Sequence, residues 1–316
     1  RQLTLIYPAV RNCGEAATGN LAPLWSESGI EEMSTDSTGM NLPSRIDLIV
    51  RLSPAQAVMA SRTSERLVVL AYHAIEDSEC FRKHIEYLSK NLCPVGLAEV
   101  LEAIEGKQLP KKATLVTFDD ADSSIKEHAL PILQSYSVPA VAFVVAGHLD
   151  SDRPFWWQEV DALINRGARV PGFGDDAAQT VRALKEMDNR DRVKFVRTLQ
   201  QSIPGVQIRR ANLRRSDLPV LQEGGIAIGN HSMTHPILDR CSNAEMRDEI
   251  GPAHRRILEA TLGEGPKAFA YPNGNYDPRA EAILRDLGYE AAFVFDHRVS
   301  RLTRQNRFRI SRVRVN

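Results

Sequence analysis

From Arg66 to its end the chain alternates short, unbroken apolar runs with segments whose apolar residues recur at helical spacing. Leu67–Tyr72 (LVVLAY), Thr114–Phe118 (TLVTF) and Ala140–Val145 (AVAFVV) have the length and composition of strands buried on both faces. Ile226–Ile228, Ala268–Tyr271, Ala291–Phe295 and Phe308–Val315 continue the series. Between them, Phe81, Ile85 and Leu88 predict a helix, and another is expected around Ile125–Tyr136. Gln179–Gln201 reads as a charged amphipathic helical region. Ser242 and Glu245 form a capping box for a helix running to Leu262 and stopped by Gly263. Asp277-Pro278 caps a helix ending at Gly288. Buried strands separated by helices predict an α/β fold on a parallel sheet, open or closed into a barrel. Polar clusters follow several of these strands, where such folds gather their active sites.

Residues 1–62 read differently. Cys13–Ser44 is rich in Gly, Ser, Thr, Asn and Pro, and Ile46–Leu52 has the look of a short strand. They are expected to form a loop-rich N-terminal extension of unassigned role. Residues 63–316 then form the main domain, with a helical insertion around 150–222.

The 316 residues are ample for a large core, and 43% hydrophobic with 25% charged is ordinary for a globular protein. Forty basic residues balance forty acidic ones, which argues against a nucleic-acid binder. No run of eighteen apolar residues exists, so a transmembrane helix is not expected. Leu3–Val10 is too short for a signal peptide and lacks a cleavage pattern, while a first residue of Arg leaves room for a removed upstream piece. A soluble protein is expected, with compartment and oligomeric state unassigned. Cys13, Cys80, Cys93 and Cys241 include no CxxC pair, so a cysteine zinc site is not expected, and the thiols are read as reduced.

Four clusters carry candidate chemistry. Thr117-Phe118-Asp119-Asp120-Ala121-Asp122 ends one strand. Its adjacent carboxylates repel, so one should be harder to ionise unless a cation sits beside it; the structural alternative is an acidic helix start. His231-Ser232-Met233-Thr234-His235 follows another strand. On a helical turn the i, i+4 spacing points both imidazoles one way, about 6 Å apart at Cβ. With a strand-end aspartate they make a candidate His₂-Asp metal site with an open position. Phe269–Asp277 is either a Pro/Gly turn with Asp277 as helix cap or a loop whose backbone N–H groups meet an oxyanion. Tyr72-His73 ends LVVLAY; a lone histidine there is more often structural, but three neighbouring clusters put it on the same rim.

TFDDA, HSMTH and AYPNG, in that order, resemble the motifs of the polysaccharide deacetylase family, carbohydrate esterase family 4, with Ala121 where a Gly is common. Ala129–Leu133, Val138–Ala140 and Phe155-Trp156-Trp157 resemble the stretches that follow the first motif, so the resemblance spans Arg66 to Val315. It implies a distorted (β/α) barrel of about seven parallel strands. It implies one divalent metal, zinc first with nickel, cobalt or manganese as alternatives, on Asp120, His231 and His235. Asp119 matches the catalytic base, and Tyr271, Pro272 and Asn273 fall in the substrate and oxyanion motif. Ala270 stands where the family carries an Arg that steadies the base, and Arg312 is the candidate substitute. The closing Leu-x-His that supplies the acid is also absent. Val69–His73 resembles that strand displaced to the N-terminal side, as in circularly permuted members, which makes His73 the expected acid. His297 is the runner-up, and Asp296 could instead orient the acid; a solvated loop is the plainer alternative for both.

The implied substrate is an N-acetylated amino sugar, polymeric or small. O-deacetylation of a glycan and a catalytically silent carbohydrate-binding relative are the alternatives. Trp156 and Trp157, with Phe155, could form a stacking wall for a sugar or pack as core. The arginines from Arg298 to Arg314 could form an anion patch, but a guarded strand edge is preferred.

Overall fold

The computed structural model describes residues 66–170, 172–261 and 265–315. The extension at 1–62, with the strand expected at Ile46–Leu52, and the helix stop at Leu262 and Gly263 lie outside the described residues. Among the described residues eight strands form one sheet. They are β1 (Val68–Tyr72), β2 (Cys93–Pro94), β3 (Ala113–Phe118), β4 (Ala140–Val144), β5 (Ile226–Asn230), β6 (Ala268–Ala270), β7 (Ala291–Phe293) and β8 (Val313–Arg314). The order is β7-β6-β5-β4-β3-β1-β8, with the short β2 added beside the start of β3. Every pairing is parallel.

The sheet curls until its edges share one segment. Ile310 bridges Phe293 in parallel, and Val294 N–H donates to Ile310 O at 2.9 Å. Five residues on, Val315 N–H donates to Ala71 O at 3.0 Å. Residues 310–315 thus touch β7 and β1, and the result is the distorted barrel of about seven strands that the resemblance implies.

Helices cover the outside: α1 (Ser78–Asn91), α2 (Leu97–Ile104), α3 (Leu130–Ser135), α4 (Trp156–Asn165), α5 (Ala177–Lys185), α6 (Asn189–Ser202), α7 (Asp217–Glu223), α8 (Asn243–Ala260) and α9 (Pro278–Asp286). The expected capping box opens α8, where Ser242 N–H donates to Glu245 Oε2 at 2.8 Å and Glu245 N–H to Ser242 Oγ at 3.3 Å. Asp277 accepts from Arg279 N–H at 2.7 Å at the start of α9. The region Gln179–Gln201 is two helices, parted where Asp188 turns extended. None of the described helices is long and apolar enough to cross a membrane. Cys93 and Cys241 carry free thiols. Cys80 is disulfide-bonded, a correction to the reduced thiols expected; spacing along the chain does not say which cysteines meet.

Strand alternation sorts the core into layers. Leu67, Val69, Leu115, Val141, Phe143, Ala268, Ala270, Phe293 and Ile310 fill the barrel. The opposite face carries Phe269, Tyr271 and Ala292, which pack with Met246 and Ile250 of α8 and Leu284 of α9. Helices α4, α5 and α6 have a core of their own around Leu163, Leu184, Phe195 and Leu199.

Candidate metal centre and active site

The inward face of the barrel continues past its apolar core. Two-residue steps lead from Val69 to His73, from Leu115 to Asp119, from Ala227 to His231 and from Ile310 to Arg312. The parallel register sets Tyr72 beside Phe118, so His73 and Asp119 leave adjacent strand ends. Gly229 makes this packing possible, since a Cβ there would lie 2.4 Å from Phe143 Cδ1.

Arg312 is fully buried and grips Asp119 with both ends of its guanidinium. Nη1 donates to Oδ1 at 2.6 Å and Nη2 to Oδ2 at 2.9 Å. The rings of Phe143 and Phe295 lie 5.4 and 5.2 Å from the guanidinium carbon. A planar fork on a planar carboxylate fixes the orientation of both groups.

Asp120 would point outward if β3 continued. Instead Asp120 and Ala121 take left-handed conformations, φ 75° and 56°, which turn the carboxylate back to the mouth. Such conformations cost about 1–3 kcal/mol each in a side-chain-bearing residue, and a clamp from residues 210–213 holds them. Leu213 N–H donates to Ala121 O at 2.8 Å and Ser123 N–H to Ala211 O at 3.1 Å. Arg210 donates to Asp120 O at 3.0 Å and pairs with Asp122 at 3.1 Å.

The two histidines do not sit on the helical turn expected of them. They bound a loop in which Ser232 and His235 are left-handed, φ 71° and 59°. Side chains outcompete helical hydrogen bonds for its backbone. Asn230 Oδ1 accepts from Ser232 N–H at 2.8 Å, and Ser232 Oγ from His235 N–H at 3.0 Å. Glu249 of α8 accepts from Met233 N–H at 3.0 Å, Thr234 N–H at 2.8 Å and Thr234 Oγ1 at 2.6 Å. The imidazoles still meet, with ring centroids 4.7 Å apart.

Asp120, His231 and His235 are buried and offer ligand atoms within 4.8 Å of one another. Asp120 Oδ1 lies 3.7 Å from His231 Nε2 and 3.5 Å from His235 Nε2, and no hydrogen bond satisfies it. Ligands around one tetrahedral zinc stand roughly 3.3–3.5 Å apart, so these atoms are spread as a small cation requires. His231 Nδ1–H donates to Ala270 O at 2.7 Å, which leaves the Nε2 lone pair facing the gap. The donor set therefore fits a divalent metal.

The electrostatics agree. Burial, then the charges of Asp119 and Asp122, push Asp120 up to about 7 against the pull of Arg210 and Arg312. That is the rise expected for one of two adjacent carboxylates. Burial also works on Asp119, but the charge and paired hydrogen bonds of Arg312 outweigh it and hold that carboxyl well below its ordinary value. Burial lowers His231, and burial with the neighbouring His231 lowers His235, so both imidazoles are neutral. Burial takes His73 down to about 4 despite the pull of Asp119.

The remaining expected site residues scatter. Pro272 is buried at the rim, and Asn273 is exposed with a left-handed φ of 58°. Tyr271 points away, because alternation places its ring in the layer between sheet and helices. Asp296 and His297 are exposed; Asp296 accepts from Ser311 Oγ at 3.0 Å rather than meeting His73. Trp157 lies 4.6 Å from the His235 ring and stacks on Phe155 at 4.5 Å. Trp156 packs on the core of α4–α6, under Arg192. The arginine-rich tail is largely paired: Arg304 with Glu105 at 2.6 Å, Arg309 with Glu281 at 3.8 Å, and Arg312 with Asp119. Arg210 and Glu249 belong to the site without having been singled out in the sequence. Their only signal is charge, shared with dozens of surface residues.

The sequence profile of the polysaccharide deacetylase family matches residues 106–176 and 206–292, half of the chain. Poly-β-1,6-N-acetyl-D-glucosamine N-deacetylase of Escherichia coli (strain K12) is 26% identical over 245 residues, covering 72% of this chain and 34% of that protein. The Staphylococcus aureus (strain N315) protein of the same name is 38% identical over 73 residues, covering 23% of this chain and 25% of that protein. The chain thus spans about a third or less of the length of these curated relatives. Among solved structures, Streptococcus pyogenes deacetylase PplD in complex with acetate superposes with a TM-score of 0.55 at 18% identity, over 79% of this chain and 92% of that one. IcaB from Ammonifex degensii gives 0.53 at 21% identity, over 80% and 92%. These likenesses show a common fold. Together with a profile match over half its length, they lead to one assignment: the chain belongs to the polysaccharide deacetylase family.

Proposed function

We propose that this chain hydrolyses the N-acetyl groups of amino-sugar units in a glycan with the help of a divalent metal. The carrying observation is the convergence of Asp120, His231 and His235 beside a carboxylate clasped by Arg312. Poly-β-1,6-N-acetylglucosamine is the substrate to test first, because two matching relatives are named for it.

Asp120, His231 and His235 would hold the ion, zinc being the first choice for two imidazoles and a carboxylate. When bound, a divalent cation supplies Lewis acidity to a water and to the acetyl carbonyl. Asp119 remains ionised at neutral pH because Arg312 stabilises its charge, so a carboxylate oxygen is available to take the water proton. Arg312 is then a positioning residue, replacing the arginine that Ala270 displaces from the third motif. The backbone at Asn273 meets the oxyanion. His73 delivers a proton to the departing amine. Burial keeps its imidazole neutral at rest, so the proton it delivers is the one Asp119 takes from the water, passed on through His73 to the amine nitrogen as the C–N bond breaks. The amide C–N bond breaks, the water oxygen stays on the acetyl carbon, and acetate and a free amine result. Trp157, half-buried beside His235 and backed by the fully buried Phe155, offers a flat face for the sugar ring.

Acetate release from N-acetylglucosamine oligosaccharides and from O-acetylated xylan, before and after chelation, tests the proposal. Release from the N-acetylated series should vanish on chelation and return with zinc, cobalt or manganese. Asp119→Asn should lower turnover roughly 10²- to 10⁴-fold while keeping its metal. Release confined to xylan, or indifferent to chelation, would refute it.

A further inference from the structure

Lys185 closes α5, in the segment between β4 and β5, and reaches across to the loop after β6. Its ammonium donates to Asn273 Oδ1 at 3.0 Å. Among the described residues no carboxylate pairs with it, and the adjoining Glu186 is turned to Arg240. The side chain is half-buried, and burial and then Arg314 lower its pKa. Arg314 lies one inward step beyond Arg312 on β8, in register with Ala71, two residues before His73. A lysine held against a neutral amide oxygen is poorly compensated for its desolvation. The rim beside Asn273 thus presents an ammonium that, among the described residues, is held only by a neutral amide oxygen.

We infer that Lys185 is a specificity-determining residue: it admits neutral acetamido units of a glycan at the rim and disfavours a unit that already carries a free amine. The inference rests on the deacetylase function proposed above. Each turnover replaces a neutral amide with an amine that is cationic at neutral pH. Next to the ammonium of Lys185 that unit is repelled, so acetyl removal falls on units whose neighbours are still acetylated. Like charges on a solvent-washed rim differ in binding by roughly three- to tenfold at low salt, and less as salt screens them.

The test compares two N-acetylglucosamine oligosaccharides of equal length, one fully acetylated and one with a free amine next to the target unit. The metal-loaded wild type should favour the first by roughly three- to tenfold in kcat/KM at low ionic strength. In Lys185→Gln the preference should fall below about twofold, and in Lys185→Glu it should reverse. Binding of the fully deacetylated oligosaccharide by the wild type should be weaker than by Lys185→Gln, a readout independent of turnover. A wild-type ratio near one, or a ratio unmoved by both substitutions, overturns the inference while leaving the proposed function intact. Absence of acetate release from either oligosaccharide overturns both.

Discussion

Asp119 and Asp120 are chain neighbours with opposite acid–base character, and the difference lies in what each faces. Arg312 meets both oxygens of Asp119, while Asp120 faces two neutral imidazoles and the charge of Asp119. The folded-state pKa of Asp119 is depressed below the ordinary carboxylate value of about 3.9. The stability it contributes is thus complete above that ordinary value and is lost as pH falls towards the folded one. With chelator present, the unfolding free energy of the wild type should drop more steeply below about pH 4 than that of Asp119→Asn; parallel curves would contradict the pairing. Arg312→Met should cost about 3–5 kcal/mol in urea unfolding, because it strands a buried carboxylate. A loss under 1 kcal/mol would show that water reaches Asp119. Asp119 and Asp120 were legible as a carboxylate pair ending an apolar run, and His231 and His235 as a spaced pair just after a strand. Arg312 was legible only through a missing partner, the arginine that Ala270 replaces. Nothing marked Arg210, which meets Asp120 across 90 residues of chain.

At the scale of elements, strands were easier to read than loops. Buried runs and inward alternation locate β1, β3, β4 and the mouth beyond them. Asn230 and Ser232 brace the loop locally, but the acceptor for Met233 and Thr234, Glu249, comes from the middle of α8 and leaves no local signature. A helical turn was therefore the wrong geometry for the histidine pair, although their convergence was the right outcome. Glu249 sets the path between the two imidazoles, so Glu249→Ala should weaken zinc binding roughly 10- to 100-fold in competition with a chelator. Glu249→Gln keeps one carbonyl acceptor and should recover most of the affinity. Equal losses in both variants, or none, would remove the loop brace from the account. Gly147 adds a second brace: its N–H donates to Met233 O at 2.8 Å, and a Cβ there would stand 2.4 Å from that oxygen.

At the scale of the whole molecule, barrel closure brings the parts together. Residues 310–315 join β7 to β1, and the same segment carries Arg312 onto Asp119. Parallel order was readable from the buried runs, whereas closure was not, because it rests on a bridge at Ile310 and a two-residue strand. Metal binding should report on the assembled barrel. Zinc at about a hundred times its Kd should raise unfolding free energy by about 2.7 kcal/mol, and His235→Ala should abolish the gain. A gain that survives in His235→Ala would put the ion elsewhere. On the proposed function, one cation sits among Asp120, His231 and His235. Anomalous diffraction at the zinc edge from zinc-soaked crystals tests it most directly. A single strong peak is expected at bonding distance from Asp120, His231 Nε2 and His235 Nε2, absent from crystals of His231→Ala. Zinc density elsewhere, with none among these three side chains, would contradict it.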